Sequence, residues 1–163
     1  DYEALIRSIP GIADCQAVDR NLLNTYPWEF VALYVIPEGG GLIPPPMMAD
    51  IRSKLGEWGH LNTWSGRYLI KDAVTVSVPV TARLNVAPGY QMESVRVAVI
   101  SAINNCFTLP NVSIGDNVSF TTLNVSCNRI PGVNWIEFDT PRADVSISYG
   151  EIPVVGDITV VFA

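Results

Sequence analysis

The stretch AVTVSVPVTARLNVAPGYQMESVRVAVISAINNCF, residues 73–107, encodes a strand, a turn and a helix in that order. Val74, Val76, Val78, Val80, Ala82, Leu84 and Val86 alternate with Thr75, Ser77, Pro79, Thr81, Arg83 and Asn85. A period of two held this long puts the apolar side chains on one face of a half-buried strand. Pro79 falls on the polar face and donates no hydrogen bond, so the strand is expected either to lie at a sheet edge or to bend there. Ala87-Pro88-Gly89-Tyr90 then supplies turn chemistry. Beyond it the period changes: Met92, Val95, Val99, Ile103 and Cys106 follow steps of three and four, with Phe107 closing the row. This spacing predicts an amphipathic helix of about four turns, laid over the apolar face of the strand.

On the C-terminal side, residues 111–117 read as loop. Thr121 or Thr122 is expected to cap a short helix carrying Leu123, Cys127 and Ile130, stopped by Pro131-Gly132. Three strands follow, at 133–138, 145–149 and 158–162. On the N-terminal side a short helix over residues 2–9 ends at Pro10-Gly11, and a first strand is expected at Ile12–Val18. After a polar loop at 21–27, the near-continuous apolar run at 30–36 reads as a buried central strand. Gly39-Gly40-Gly41 closes it. Pro44-Pro45-Pro46 leads into a helix with proline in its first turn and Met47 or Met48, Ile51, Leu55 and Trp58 on one face. Tyr68-Leu69-Ile70 reads as a returning strand. Lys71-Asp72 is the candidate boundary. The expectation is therefore an α+β chain of two small domains, 1–71 and 72–163. Each is a mostly antiparallel or mixed sheet covered by helices, of split-βαβ or ferredoxin-like type.

The 163 residues suffice for one domain or two small ones. The sequence opens at Asp1 without an initiator methionine or a charged-then-apolar leader, so it is expected to be a fragment of a longer protein with no signal peptide. No apolar run reaches the roughly 18 residues of a membrane helix, and no membrane partner is expected. Charged residues make up 16% of the chain, against about 25% in typical domains. Mean hydropathy is +0.26. For a short chain, this balance points to apolar surface reserved for a partner. Net charge −6 and a pI near 4.6 argue against nucleic acid, which selects a basic face. Cys15, Cys106 and Cys127 are odd in number and lack metal-ligand spacing, so they are expected to be free thiols.

Few residues offer chemistry. His60, the only histidine, follows a helix end and lacks the company a metal cluster or nucleophile motif needs. Gly39-Gly40-Gly41 is not followed by Lys-Ser/Thr, so it reads as a turn and not a phosphate cradle. Glu137 and Asp139 would share one strand face, a spacing open to an acid–base pair, with Asp144 nearby. Arg142 offers a neutralising neighbour, and solvated carboxylates are the plainer reading. Asn111, Asn117 and Asn124 each open an Asn-Val-Ser sequon, read as chance in an asparagine-rich stretch. Trp28, Trp58, Trp64 and Trp135 could line a sugar platform, although for Trp58 and Trp135 core or interface is the plainer expectation. No catalytic residue, cofactor or metal is expected.

The order of these signals resembles the baseplate J family of phage tail proteins. The matching residues are Ile9-Pro10-Gly11-Ile12 before a strand, the apolar strand at 30–36, and a glycine loop with prolines before a helix. The strongest match is Val76-Ser77-Val78-Pro79-Val80-Thr81-Ala82-Arg83-Leu84-Asn85-Val86, then Pro88-Gly89-Tyr90 and the helix. Gly115-Asp116-Asn117-Val118, Ile130-Pro131-Gly132-Val133 and Tyr149-Gly150-Glu151-Ile152-Pro153 continue it. The resemblance implies a structural wedge subunit of a contractile-tail baseplate, or of a related injection machine, represented here by its middle and C-terminal domains. It implies no enzyme and no catalytic residue to carry over. Its implied partners are other wedge subunits, copies of itself, and hub or sheath proteins, met through edge strands and the domain seam as an oligomer in the particle. The implied location is the virion tail baseplate, with assembly in the bacterial cytoplasm. Two other classes compete: a carbohydrate- or receptor-binding module using exposed tryptophans, and an enzyme using Glu137 and Asp139.

Overall fold

The computed structural model describes residues 2–19, 21–22, 30–59 and 67–163, the side chains at 57–59 and 67 excepted. The elements in chain order are α1 (Tyr2–Arg7), β1 (Ile12–Val18), β2 (Phe30–Pro37), α2 (Pro45–Gly59), β3 (Arg67–Asp72), β4 (Val74–Val86), α3 (Met92–Cys106), α4 (Phe120–Asn128), β5 (Val133–Thr140) and β6 (Glu151–Phe162). They form an α+β fold of two three-stranded sheets, ordered β1-β2-β3 and β5-β4-β6. The chain divides into two compact units. The first comprises Asp1–Val74 with Ser113–Gly115 and Ser148–Glu151, the second Thr75–Val112, Asp116–Ile147 and Ile152–Ala163.

In the first unit β2 is the central strand, as its apolar run predicts: Ala32, Leu33 and Val35 are fully buried. It pairs antiparallel with β1 and parallel with β3. The parallel pair requires a crossover, and α2 supplies it. Ile6 of α1 and Ile51 and Leu55 of α2 pack with Cys15, Leu33 and Val35 on one side of the sheet.

In the second unit the alternation of β4 is realised from Val78 onward. Val78, Val80, Ala82 and Leu84 are buried, while Val74 is exposed and Val76 half-buried, because the core facing β4 begins only at Val78. Val95, Val99 and Ile103 of α3 and Leu123 and Cys127 of α4 cover this face. β5 pairs antiparallel with β4 from Thr81 to Val86. β6 lies on the other side. The Ala163 N–H donates to the Leu84 carbonyl (2.9 Å), and Gly156 lies against Ser77 and Val78. The numbering of the two strands thus rises together, and they run parallel. Pro79 therefore sits in a central strand, but before the ladder to β5 begins, so its missing N–H leaves no gap on that side.

Several expectations are corrected. Residues 145–149 do not form a strand: only Val145 pairs, in an isolated antiparallel bridge with Val118. The terminal strand starts at Glu151, not 158, and takes the place beside β4. Met92, assigned to the helix face, is 48% exposed, because it occupies the first turn of α3, ahead of the buried row. The cap of α4 is Ser119, not Thr121 or Thr122: its hydroxyl accepts from the Thr122 N–H at 3.2 Å. Starting the helix at Phe120 sets that ring edge-on against Phe138. Ile130 lies past the end of α4, which stops at Asn128.

Candidate functional site

The inner face of the second sheet is spent on the core, so surface chemistry falls to the outer face of β4 and β5. The pairing sets Asn85 opposite Trp135 and Arg83 opposite Glu137, with a register shift between Thr81 and Ala82 beside Asp139. Arg83 is the hub. Its Nε and Nη2 donate to the two oxygens of Asp139 at 3.2 and 3.1 Å, and Nη2 lies 3.3 Å from Glu137. The hydrogen bond and charge of Asp139, then the charge of Glu137, raise the pKa of Arg83. Arg142 adds a second cation, 3.4 Å from Asp139, and donates from Nε to the Asp139 carbonyl at 3.1 Å. The two carboxylates thus share one face as expected, but as acceptors in an arginine-centred cluster. Both oxygens of Asp139 and one of Glu137 are thereby engaged by one guanidinium.

Asp144 does not join them. It accepts from the Phe120 N–H at 2.8 Å while the Ser119 hydroxyl accepts from the Thr122 N–H, so the two side chains take two of the donors at the start of α4. The sequon asparagines are used locally. Asn111 donates to the Asn105 carbonyl, Asn117 accepts from the Ile147 N–H, and Asn124 accepts from Asn128. The glycine loop is a turn: Gly40 N–H donates to the Pro37 carbonyl, and the Ile43 N–H donates to Asp72 at 2.7 Å. With a carboxylate already on its backbone, the loop is not arranged for phosphate.

Trp135 is 40% exposed on the outer face, beside the arginine cluster, and so is not a core residue. His60, Trp28 and Trp64 lie outside the described residues, as does the side chain of Trp58. All three thiols are unpaired; Cys15 and Cys127 are buried and Cys106 is half-buried. Burial pushes both buried thiols up to about 12. Among the described residues no group of three or more His, Cys, Asp or Glu is placed to hold a metal ion, and no helix is long and apolar enough to cross a membrane. A recess of ≈ 200 Å³ between the end of α3 and the start of α4 is lined by Asn111, Asp116, Asn117, Ser119 and Thr122 among others. Ligand pockets usually run from about 300 to 1,000 Å³. One charged residue that the sequence reading passed over, Asp14, is buried in β1. Only its place in a strand rich in apolar side chains hinted at that.

No curated protein matches the sequence. Among solved structures, a chain of the cryo-EM structure of the anti-feeding prophage (AFP) baseplate, 6-fold symmetrised, matches with a TM-score of 0.62 and 19% identity. The match covers 96% of this chain and 36% of that one, a little over a third of its length. The likeness is one of fold. The sequence family described as Baseplate J-like protein C-terminal domain matches residues 78–161. That segment runs from the buried half of β4 into β6 and holds the whole α3–α4 layer. It is more than half of the 163 residues, and the chain belongs to the Baseplate J-like protein C-terminal domain family.

Proposed function

We propose that the chain is a structural part of a phage-like tail baseplate wedge that works through protein–protein contacts and not through catalysis. The observation that carries this reading is the agreement of family and fold: residues 78–161 match the family, and 96% of the chain follows the fold of a baseplate chain. The chemistry is consistent. The carboxylates that looked available are held by Arg83, and charge is sparse along the chain. On this reading residues 1–71 are the middle domain and 72–163 the C-terminal domain of a longer subunit. Other wedge subunits, further copies of the chain, and hub or sheath proteins are its partners in an oligomeric particle. It resides in the virion tail baseplate after assembly in the bacterial cytoplasm. The outer face of β4 and β5, which carries Arg83 and the exposed Trp135, is a contact surface of the kind aromatic and arginine residues favour.

Immunogold electron microscopy of particles, with antibody against this chain, tests the reading. Gold at the tail end below the sheath is expected. Gold on fibre tips, or unlabelled particles despite an accessible epitope, overturns it. So does enzymatic turnover by the purified protein that is lost in Glu137→Ala or Asp139→Ala. The exposure of Trp135 favours one second reading, recognition of a carbohydrate or receptor. Glycan binding abolished by Trp135→Ala would carry that one instead.

A further inference from the structure

Two short stretches, 113–115 and 148–151, complete the first unit, and each is held by a side chain of β1. Asp14, 6% exposed, uses both oxygens: one accepts from Arg7 Nε at 2.8 Å, the other from the Ile114 N–H at 2.9 Å. Arg7 is itself anchored, donating to the Cys15 carbonyl at 2.7 Å and lying 3.3 Å from Glu3. Burial works against the Arg7 charge, but the hydrogen bond to Asp14 and the charges of Asp14 and Glu3 outweigh it and raise its pKa. Two residues along, Gln16 Oε1 accepts from the Gly150 N–H at 2.7 Å. The Gln16 amide group also packs against Gly115, so this one side chain touches both stretches.

The stretches are bonded to each other as well. The Gly115 N–H donates to the Glu151 carbonyl at 2.6 Å, and the Gly150 carbonyl accepts from the Val74 N–H at 2.9 Å. Gly115 and Gly150 have φ of +83° and +77°, and a Cβ at Gly150 would enter the Tyr34 ring. Glycine meets both requirements at once.

We propose that 113–115 and 148–151 form a single latch on β1, held by Asp14 and Gln16, which opens in one step and uncovers the Tyr34 side of the sheet. The cross-bond from Gly115 to Glu151 and the double contact of Gln16 make it one latch and not two independent clips. Losing either clip removes a support that the other stretch shares.

Hydrogen exchange on the full chain tests this, comparing wild type with Asp14→Ala and Gln16→Ala. Asp14→Ala is expected to speed exchange at Gly150 and Val74, not only at Ile114 and Gly115, by about tenfold. Gln16→Ala is expected to speed the same four amides. Protection of the Ile51 amide in α2 reports that the unit remains folded. If Asp14→Ala unfolds it, the Gln16→Ala comparison decides alone. Acceleration confined to the stretch nearest each substitution, or no acceleration, overturns the proposal.

Discussion

Leu84 and Arg83 are consecutive residues of β4 that face opposite sides, and their environments set opposite consequences for removal. Leu84 is fully buried, so Leu84→Ala loses its transfer energy and leaves a cavity. The expected loss is about 3 kcal/mol in urea unfolding. Arg83 is 44% exposed at its side chain and its ion pairs face water, where such pairs contribute little. Arg83→Ala should leave the unfolding midpoint nearly unchanged. The thiols make a second residue-scale case. Burial pushes the native pKa of Cys15 and Cys127 from the ordinary thiol range up to about 12. Above pH 9 the unfolded chain therefore loses thiol protons that the native chain keeps, and stability falls as pH rises from about 9 toward 12. Cys15→Ala and Cys127→Ala should each flatten that alkaline slope in denaturant titrations. At pH 8 a thiol reagent should label native Cys106 first and all three only after unfolding.

At the scale of elements, α4 depends on residues outside itself. Ser119 caps the Thr122 N–H and Asp144 takes the Phe120 N–H. Ser119→Ala should cost about 1 kcal/mol, measurable in urea, and Ser119→Asp should retain the cap. The turn into β5 depends on Gly132, at φ +93°, where a Cβ would meet Tyr90 and Val95 at 2.6–2.7 Å. Gly132→Ala should therefore destabilise by more than about 1 kcal/mol, adding overpacking to a left-handed backbone. The elements that could be read from pattern are those whose pattern is also their packing. Val78, Val80, Ala82 and Leu84 alternate because one face of β4 is core, and Val95, Val99 and Ile103 recur by fours because one stripe of α3 meets them. Residues 145–149 alternate just as well, yet only Val145 finds a partner. Alternation makes a segment able to be a strand. A free neighbouring edge makes it one, and beside β4 that edge is taken by β6.

For the molecule as a whole, the first unit is not finished by the first 74 residues, since it takes in 113–115 and 148–151. A chain ending at Val74 leaves Asp14 without the Ile114 N–H and Gln16 without the Gly150 N–H. It should therefore unfold at lower urea than the same elements in the full chain, followed by exchange at the amides of β1 and β2. Composition, period and motif order were enough for an α+β chain, a buried β2, the strand–turn–helix of 73–107 and the family resemblance. These properties reside in neighbouring side chains, and local sterics and burial act on them directly. Long-range contacts made the other decisions. Asp14 meets a backbone donor 100 positions away, and Asp139 meets Arg83 56 positions away, which turns a possible acid pair into an ion cluster. Hydrogen bonds and ion pairs of that reach exist only after the chain has closed on itself, so no local period announces them.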